Sequence, residues 1–343
     1  MKHLLNTLYI MSEDIYLSLD GENVVANKDR QIAARYPLHT LQNIISFSYA
    51  GASPALMGAC AQRQIGLAFC TPGGRFLARV CGEGNGNVML RRTQYRLADD
   101  PDQCCRISRN MIFGKLYNAR WCVERTRRDH GMRLDGDKLS SVSKQIYGLL
   151  PQVKETASPD ELRGFEGVGA SAYFSVFDEM ILGDKETFSF HGRSRRPPLD
   201  AVNALLSFAY SLLTHDCASA LESVGLDSYV GFMHRDRPGR TSLALDLMEE
   251  LRPCAADRFV LTLINNRQVK AADFQYMQSG AVLLNDGGRK AFLKHWQEKK
   301  KETLTHPYLG EKLPWGMIPY IQAMLLARYL RGDLDAYPPF LWK

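Results

Sequence analysis

Residues Gly82-Glu83-Gly84-Asn85-Gly86-Asn87 place three glycines in six positions, a density that no helix or strand interior tolerates, so this hexapeptide has to be a connector. The chain reads differently on its two sides. Before it the texture is that of short strands: Ile15, Leu17 and Leu19 alternate with polar residues up to the turn Asp20-Gly21, and Val24-Val25 follow at once, which predicts a hairpin. Further strands are expected at Gln31 to Arg35, Asn43 to Phe47, Ile65 to Phe69 and Arg75 to Val80, with one inserted helix from Ser53 to Gln62 capped by Ser53 and started by Pro54.

After the connector the apolar period becomes helical. Helices are expected at Val88 to Ala98, at Pro101 to about Arg128 with Ile107, Met111, Ile112 and Leu116 on one face, and from Ser158-Pro159-Asp160-Glu161 through Met180. Others are expected at Leu199 to Val224, at Ser242 to Leu251 with a stop at Pro253, at Ala255 to Asn266, after Asp286, and at Pro314 to Arg331; Phe274 to Leu284 reads as a small hairpin. The expected fold is therefore α+β, a small N-terminal β-rich domain (1–81) joined by the linker 82–87 to a larger all-α domain (88–343). Two domains also suit a chain of 343 residues, because single cores stop growing at ~250–300 residues.

Composition narrows the function. No run reaches the ~18 consecutive apolar residues of a membrane helix, and the N-terminus lacks a signal-peptide cleavage pattern, so a cytoplasmic protein is expected. The eight cysteines contain no Cys-x-x-Cys pair and no zinc spacing, which reads as buried free thiols. A net charge of +6 is only mildly basic, so nucleic-acid binding cannot be inferred from charge alone.

Placement is more informative than net charge. Asp246 and Glu249 stand three apart on an expected helix, one turn apart on the same face, so they can share a cation. A solvated acidic face, with Glu250 beside it, is the alternative reading. The neighbours Leu243, Leu245, Leu247, Met248 and Leu251 argue that at least one carboxylate lies near the packed side, where it needs a partner. Pro238-Gly239 forces a turn that can bring His234 back toward this helix, and an imidazole with two carboxylates makes a divalent-metal shell for Mg²⁺ or, with the imidazole, Mn²⁺. Glu166 sits among Gly164, Gly167 and Gly169, each costing about 1 kcal/mol in a helix; either close approach to a ligand or plain helix packing explains them. Arg235, Arg237 and Arg240 flank His234, and Arg193, Arg195 and Arg196 precede another helix. Arginine beside a carboxylate-and-histidine site favours a phosphodiester substrate.

The string Gly231-Phe232-Met233-His234, then Arg237-Pro238-Gly239-Arg240, then Ser242 through Pro253, resembles the signature of the CRISPR-associated integrase that inserts new spacers, the universal adaptation endonuclease of these systems. Glu166 in its small-residue helix, Arg196-Pro197-Pro198-Leu199-Asp200 leading into Asn203-Ala204-Leu205-Leu206, and the domain order are similar to that family over most of the chain. The stretch Arg196 to Asp200 and the length most resemble subtype I-C. The resemblance implies a metal-dependent DNA endonuclease and integrase in which the 3′-hydroxyl of a captured fragment attacks a phosphodiester at a repeat boundary. It further implies double-stranded DNA as partner (a prespacer and the CRISPR repeat), a homodimer, and a small ferredoxin-like adaptation protein. By position, Glu166, His234 and Glu249 match the family's metal ligands for Mg²⁺ or Mn²⁺ and Asp246 an additional acidic residue. Relatives often carry Asp as the last ligand, so Glu249 and Asp246 both stay open. Two rival readings of the same residues are a general metal-dependent nuclease on branched or single-stranded DNA and a non-catalytic DNA-binding scaffold.

Overall fold

A computed structural model describes residues 7–41, 43–71, 76–80, 82 and 88–343. Strand β1 (Thr7–Ile10) is followed by the expected hairpin of β2 (Tyr16–Asp20) and β3 (Asn23–Lys28), antiparallel with Leu19 opposite Val24, and β4 (Gln31–Pro37) extends it to three strands. Next come β5 (Asn43–Ser46), helix α1 (Pro54–Gln62), β6 (Gly66–Cys70) and β7 (Phe76–Val80). Ser53 Oγ caps α1 by accepting from the Leu56 N–H at 3.2 Å. Because α1 crosses over, β5 and β6 run parallel, giving a sheet of order β1-β5-β6-β7 with only β7 antiparallel to its neighbour.

That sheet is covered on both faces. Ile44 and Leu67 point into a small core with Leu17, Val24 and Leu56, while Ile45, Phe47 and Cys70 belong to the large core built by the helices. The two-residue period of a strand thus makes β5 and β6 the wall between two cores. Phe47 meets Phe208 at a ring distance of 6.2 Å across it. Of the expected connector, residues 83–87 lie outside the described residues, as does Arg75 at the start of β7.

The helical part runs α2 (Val88–Ala98), α3 (Pro101–His130), α4 (Gly136–Glu155), α5 (Pro159–Ser175), α6 (Ala201–Ser223), α7 (Ser242–Leu251) and α8 (Arg258–Asn265). It continues through the hairpin β8 (Phe274–Tyr276) and β9 (Val282–Leu284), α9 (Asp286–Lys301), a second hairpin β10 (Thr303–Thr305) and β11 (Lys312–Pro314), and α10 (Ile318–Leu330). Ser158 and Asp200 cap α5 and α6 with side-chain bonds to the backbone of Glu161 and Asn203.

The structure departs from the expected helices in three places. Helix α4 has no counterpart there: Gly136, Gly148 and Pro151 mask a stripe of buried Leu139, Val142, Ile146, Leu149 and Val153. Helix α5 ends at Ser175, and a separate 3₁₀ turn forms at Asp178–Met180. Pro253 does not stop α7. The chain passes through a π-helical turn, Arg252–Asp257, straight into α8, a widened turn that absorbs the missing proline N–H.

The seven described cysteines are free and six are buried, and Cys81 lies outside the described residues. No helix among the described residues is long and apolar enough to cross a membrane.

Helix α6 packs against the sheet at His215, whose Nε2 lies 3.8 Å from Cys70 Sγ. Burial drives the imidazole pKa down from 6.5 to about 4. The unfolded chain takes up a proton at this ring below pH 6.5 and the folded chain only near 4. The stability tied to the neutral ring is therefore present above pH 6.5 and lost as pH falls toward 4. The unfolding free energy of the native chain minus that of His215→Gln should fall across this window; a difference flat with pH would contradict the assignment.

Candidate active site where three helices meet

Helix α7 is buried from Ser242 to Leu251 except at Leu245, so its three carboxylates, Asp246, Glu249 and Glu250, all lie inside the protein. Each needs compensation, and each finds a different kind.

Asp246 turns to the loop that precedes its own helix. Its Oδ2 accepts from the N–H groups of Phe232 (2.6 Å) and Met233 (3.0 Å), and its Oδ1 accepts from the N–H of His234 (3.0 Å). The same Oδ1 lies 2.6 Å from His234 Nδ1. The turn at Pro238-Gly239, closed by a bond from the Arg240 N–H to the Arg237 carbonyl, folds the segment back as the sequence requires. Gly231 permits the approach, since a Cβ there would stand 2.8 Å from Asp246 Oδ2. Asp246 therefore fixes both the loop and the ring of His234, leaving Nε2 as the ring nitrogen that can meet a ligand.

Glu249 faces the other way. Its Oε1 accepts from Arg252 Nη1 at 2.8 Å, and its Oε2 lies 2.6 Å from the ammonium of Lys115 on α3. Lys115 also pairs closely with Glu166 Oε1 on α5. One buried ammonium thus joins carboxylates from two helices. Burial pushes the Glu249 carboxyl up, but Arg252, Lys115 and the nearby His234 outweigh it and hold the group well below the usual carboxylate range.

Among the glycines near Glu166, Gly169 has a packing role: a Cβ there would come within 2.3 Å of Leu116 Cδ2, so glycine is what lets α5 lie close against α3. At Gly164 and Gly167 a Cβ would meet nothing within 4 Å. Helix packing thus accounts for one glycine, and the other two border open space beside Glu166.

Glu166 and Glu249 are brought together, whereas Asp246 and His234 form a separate pair beside them. Among the described residues no three His, Cys, Asp or Glu side chains close on one point, and the Lys115 ammonium pairs with both glutamates. The donor set nonetheless suits a divalent cation. Glu249 Oε2 is buried and faces the Lys115 ammonium at 2.6 Å, a place that a bound cation would take over. Two carboxylates and an imidazole are oxygen and nitrogen donors of the kind Mg²⁺ and Mn²⁺ accept.

Arg235 and Arg237 are exposed and Arg240 is half-buried; Arg195 and Arg196 are exposed. Arg193 instead turns inward. Its guanidinium donates to the Ser194 carbonyl (2.7 Å) and Asn203 Oδ1 (2.5 Å) and lies 5.0 Å from the Tyr210 ring centre, bracing the loop that leads into α6.

Lys115 and Arg252 were not singled out in the sequence. The signal for Lys115 was available: it stands four residues after Met111 and three after Ile112, on the apolar face of α3, where a lone cation requires an anion. Removing it as Lys115→Met takes the cation from Glu166 and leaves Glu249 with Arg252 alone, and should cost about 3 kcal/mol in metal-free buffer. Millimolar Mn²⁺ should restore more stability to this variant than to the native chain. Equal losses with and without Mn²⁺ would separate Lys115 from any cation site.

Comparison with known proteins gives the same outline. The family model described as CRISPR associated protein Cas1 matches residues 8–298. The chain is similar to the CRISPR-associated endonuclease Cas1 1 of Chlorobaculum tepidum, 49% identical over 343 residues and the full length of both chains. It is 52% identical to CRISPR-associated endonuclease Cas1 2 of Rhodospirillum rubrum over 347 residues, again covering both chains completely. Its fold resembles that of a Cas1 protein from Thermotoga maritima (TM-score 0.80, 22% identity, 97% of this chain and 99% of that one). It also resembles part of a Cas6-RT-Cas1–Cas2 complex (TM-score 0.80, 21% identity, 100% of this chain and 36% of that one).

Proposed function

The chain belongs to the Cas1 family, the CRISPR-associated endonuclease and integrase of spacer acquisition, and from that premise we propose that Glu166, His234 and Glu249 hold its catalytic Mg²⁺ or Mn²⁺. The carrying observation is the meeting of Glu166 and Glu249 from separate helices on one cationic centre, the Lys115 ammonium, which stands where a bound cation would. Family members are typically metal-dependent. Bound metal would supply the charge that activates an attacking hydroxyl and offsets charge on the leaving oxygen.

The protein's own residues do the rest. Asp246, with its oxygens engaged by three backbone N–H groups and His234 Nδ1, is the orienting residue rather than a ligand, which leaves Glu249 as the acidic ligand of α7. Arg252 keeps Glu249 ionised and fixes one of its oxygens, so the other is presented in a single direction. Lys115 balances the two carboxylates before a cation arrives. Arg235, Arg237 and Arg240, with Arg195 and Arg196, are suited to bind the phosphates of a DNA strand entering beside His234.

The same proposal covers the assembly. The chain works on double-stranded DNA, a prespacer and the CRISPR repeat, as a homodimer through its β-rich region (1–81), with the catalytic residues in 88–343. It pairs with a small ferredoxin-like protein, a reading supported by the likeness to the solved Cas6-RT-Cas1–Cas2 complex. Arg196 to Asp200 supports subtype I-C, and a cytoplasmic location fits the DNA substrate.

Glu166→Ala, His234→Ala and Glu249→Ala should each lower Mn²⁺-dependent cleavage and strand transfer by a hundredfold or more, about 3 kcal/mol of barrier. Asp246→Asn should cost about 10- to 100-fold in kcat with KM for DNA unchanged. The assay is joining of a short duplex to a supercoiled plasmid bearing a repeat array, with the small partner protein present. Unaltered rates in the three alanine variants would leave only a DNA-binding scaffold.

A further inference from the structure

Glu250 stands next to Glu249 on α7, is fully buried, and takes no part in the cluster around Lys115. Its partners lie at the far end of the chain. Oε1 accepts from the Tyr337 hydroxyl (2.5 Å) and from Gln322 Nε2 on α10 (2.8 Å), and Oε2 accepts from the Phe340 N–H (3.0 Å). A second clamp lies alongside it. Asn118 on α3, also fully buried, donates through Nδ2 to the carbonyls of Glu250 (2.7 Å) and Phe340 (2.8 Å) and accepts from the Trp342 N–H (2.8 Å).

The segment Tyr337 to Trp342 has neither helix nor strand, yet Tyr337, Phe340 and Trp342 are buried. Arg125 of α3 and Arg258 of α8 lie 3.8 and 4.9 Å from the centre of the Trp342 ring. A Cβ at Gly114 would come within 3.0 Å of Glu250 Cβ and 3.1 Å of Pro339 Cβ, so glycine at this point of α3 lets the tail and α7 approach together. The tail therefore ties α3, α7, α8 and α10 at one junction.

The two clamped residues are sequence neighbours of the two that meet in the site. Asn118 is less than one turn from Lys115 on α3, and Glu250 adjoins Glu249 on α7. Adjacent residues of a helix differ by about 100° in direction, so fixing Glu250 on one side fixes where Glu249 can point on the other. We propose that the C-terminal segment Tyr337–Trp342 is a positioning element for the reaction: through Glu250 and Asn118 it sets α3 against α7 and thereby the aim of Glu249 at the cation. This rests on the reading of Glu249 as a metal ligand.

The mildest probes are Tyr337→Phe, which removes one hydroxyl, and Glu250→Gln, which turns one accepting oxygen into an amide donor and keeps the shape. Mn²⁺ affinity of the DNA-free full-length protein is measured by titration calorimetry, next to kcat and KM for DNA and the melting temperature. Val24→Ala, in the separate core of the β-rich region, supplies a variant destabilised at a remote site. Both tail variants should bind Mn²⁺ about tenfold more weakly and lose kcat with KM unchanged, whereas Val24→Ala should keep native Mn²⁺ affinity while folded. Native affinity and kcat in folded Tyr337→Phe and Glu250→Gln would overturn the proposal, and so would an equal loss in Val24→Ala. Glu249→Ala in the same series separates the two readings. If it binds Mn²⁺ normally, the site assignment fails; if it alone loses binding, only the role of the tail fails.

Discussion

Lys115 places one positive charge in the interior between Glu166 and Glu249, and the arrangement of the helices around it follows from that requirement. An unpaired ammonium or carboxylate is costly to bury, so α3, α5 and α7 must come together at this point or not fold as they do. The close fit of α5 on α3 at Gly169 and the guanidinium of Arg252 on Glu249 are parts of the same solution. A carboxylate pair that one buried ammonium holds together is also a pair ready to receive a metal cation. The requirement of the fold and the requirement of the proposed chemistry coincide at the same atoms.

Helix α7 shows how a short segment carries several tasks. Asp246, Glu249 and Glu250 occur within five residues, and the helical rotation sends them to a preceding loop, to the cluster around Lys115 and to the C-terminal tail. No two of them share a partner. The π-helical turn after α7 lets the chain continue into α8 without reorienting Glu249, although Pro253 lies only four residues on.

What was legible in the sequence was local. The hairpin at Asp20-Gly21, the caps at Ser53 and Ser158, and the turn at Pro238-Gly239 each declare themselves within a few residues, and so did the change from strand to helix. The α+β class could therefore be read in advance, and Glu166, His234, Asp246 and Glu249 could be singled out as candidates. Their division of labour could not. Spacing put Asp246 and Glu249 on one face and suggested a shared cation, but four bonds from a loop twelve residues away claim Asp246. Glu250 read as part of an acidic face because its partners, Gln322, Tyr337 and Phe340, lie more than seventy residues off. Sheet order was hidden for the same reason: which strands pair is decided by the α1 crossover and by two cores competing for alternate residues of β5.

The most direct test is to see the cation. Crystals of the protein grown with Mn²⁺, with diffraction recorded at the manganese absorption edge, should show an anomalous peak bound by Glu166 and Glu249 and reached by His234 Nε2, with the Lys115 ammonium moved out from between the carboxylates. A peak held by other residues, with Lys115 still pairing Glu166 and Glu249, would contradict the account.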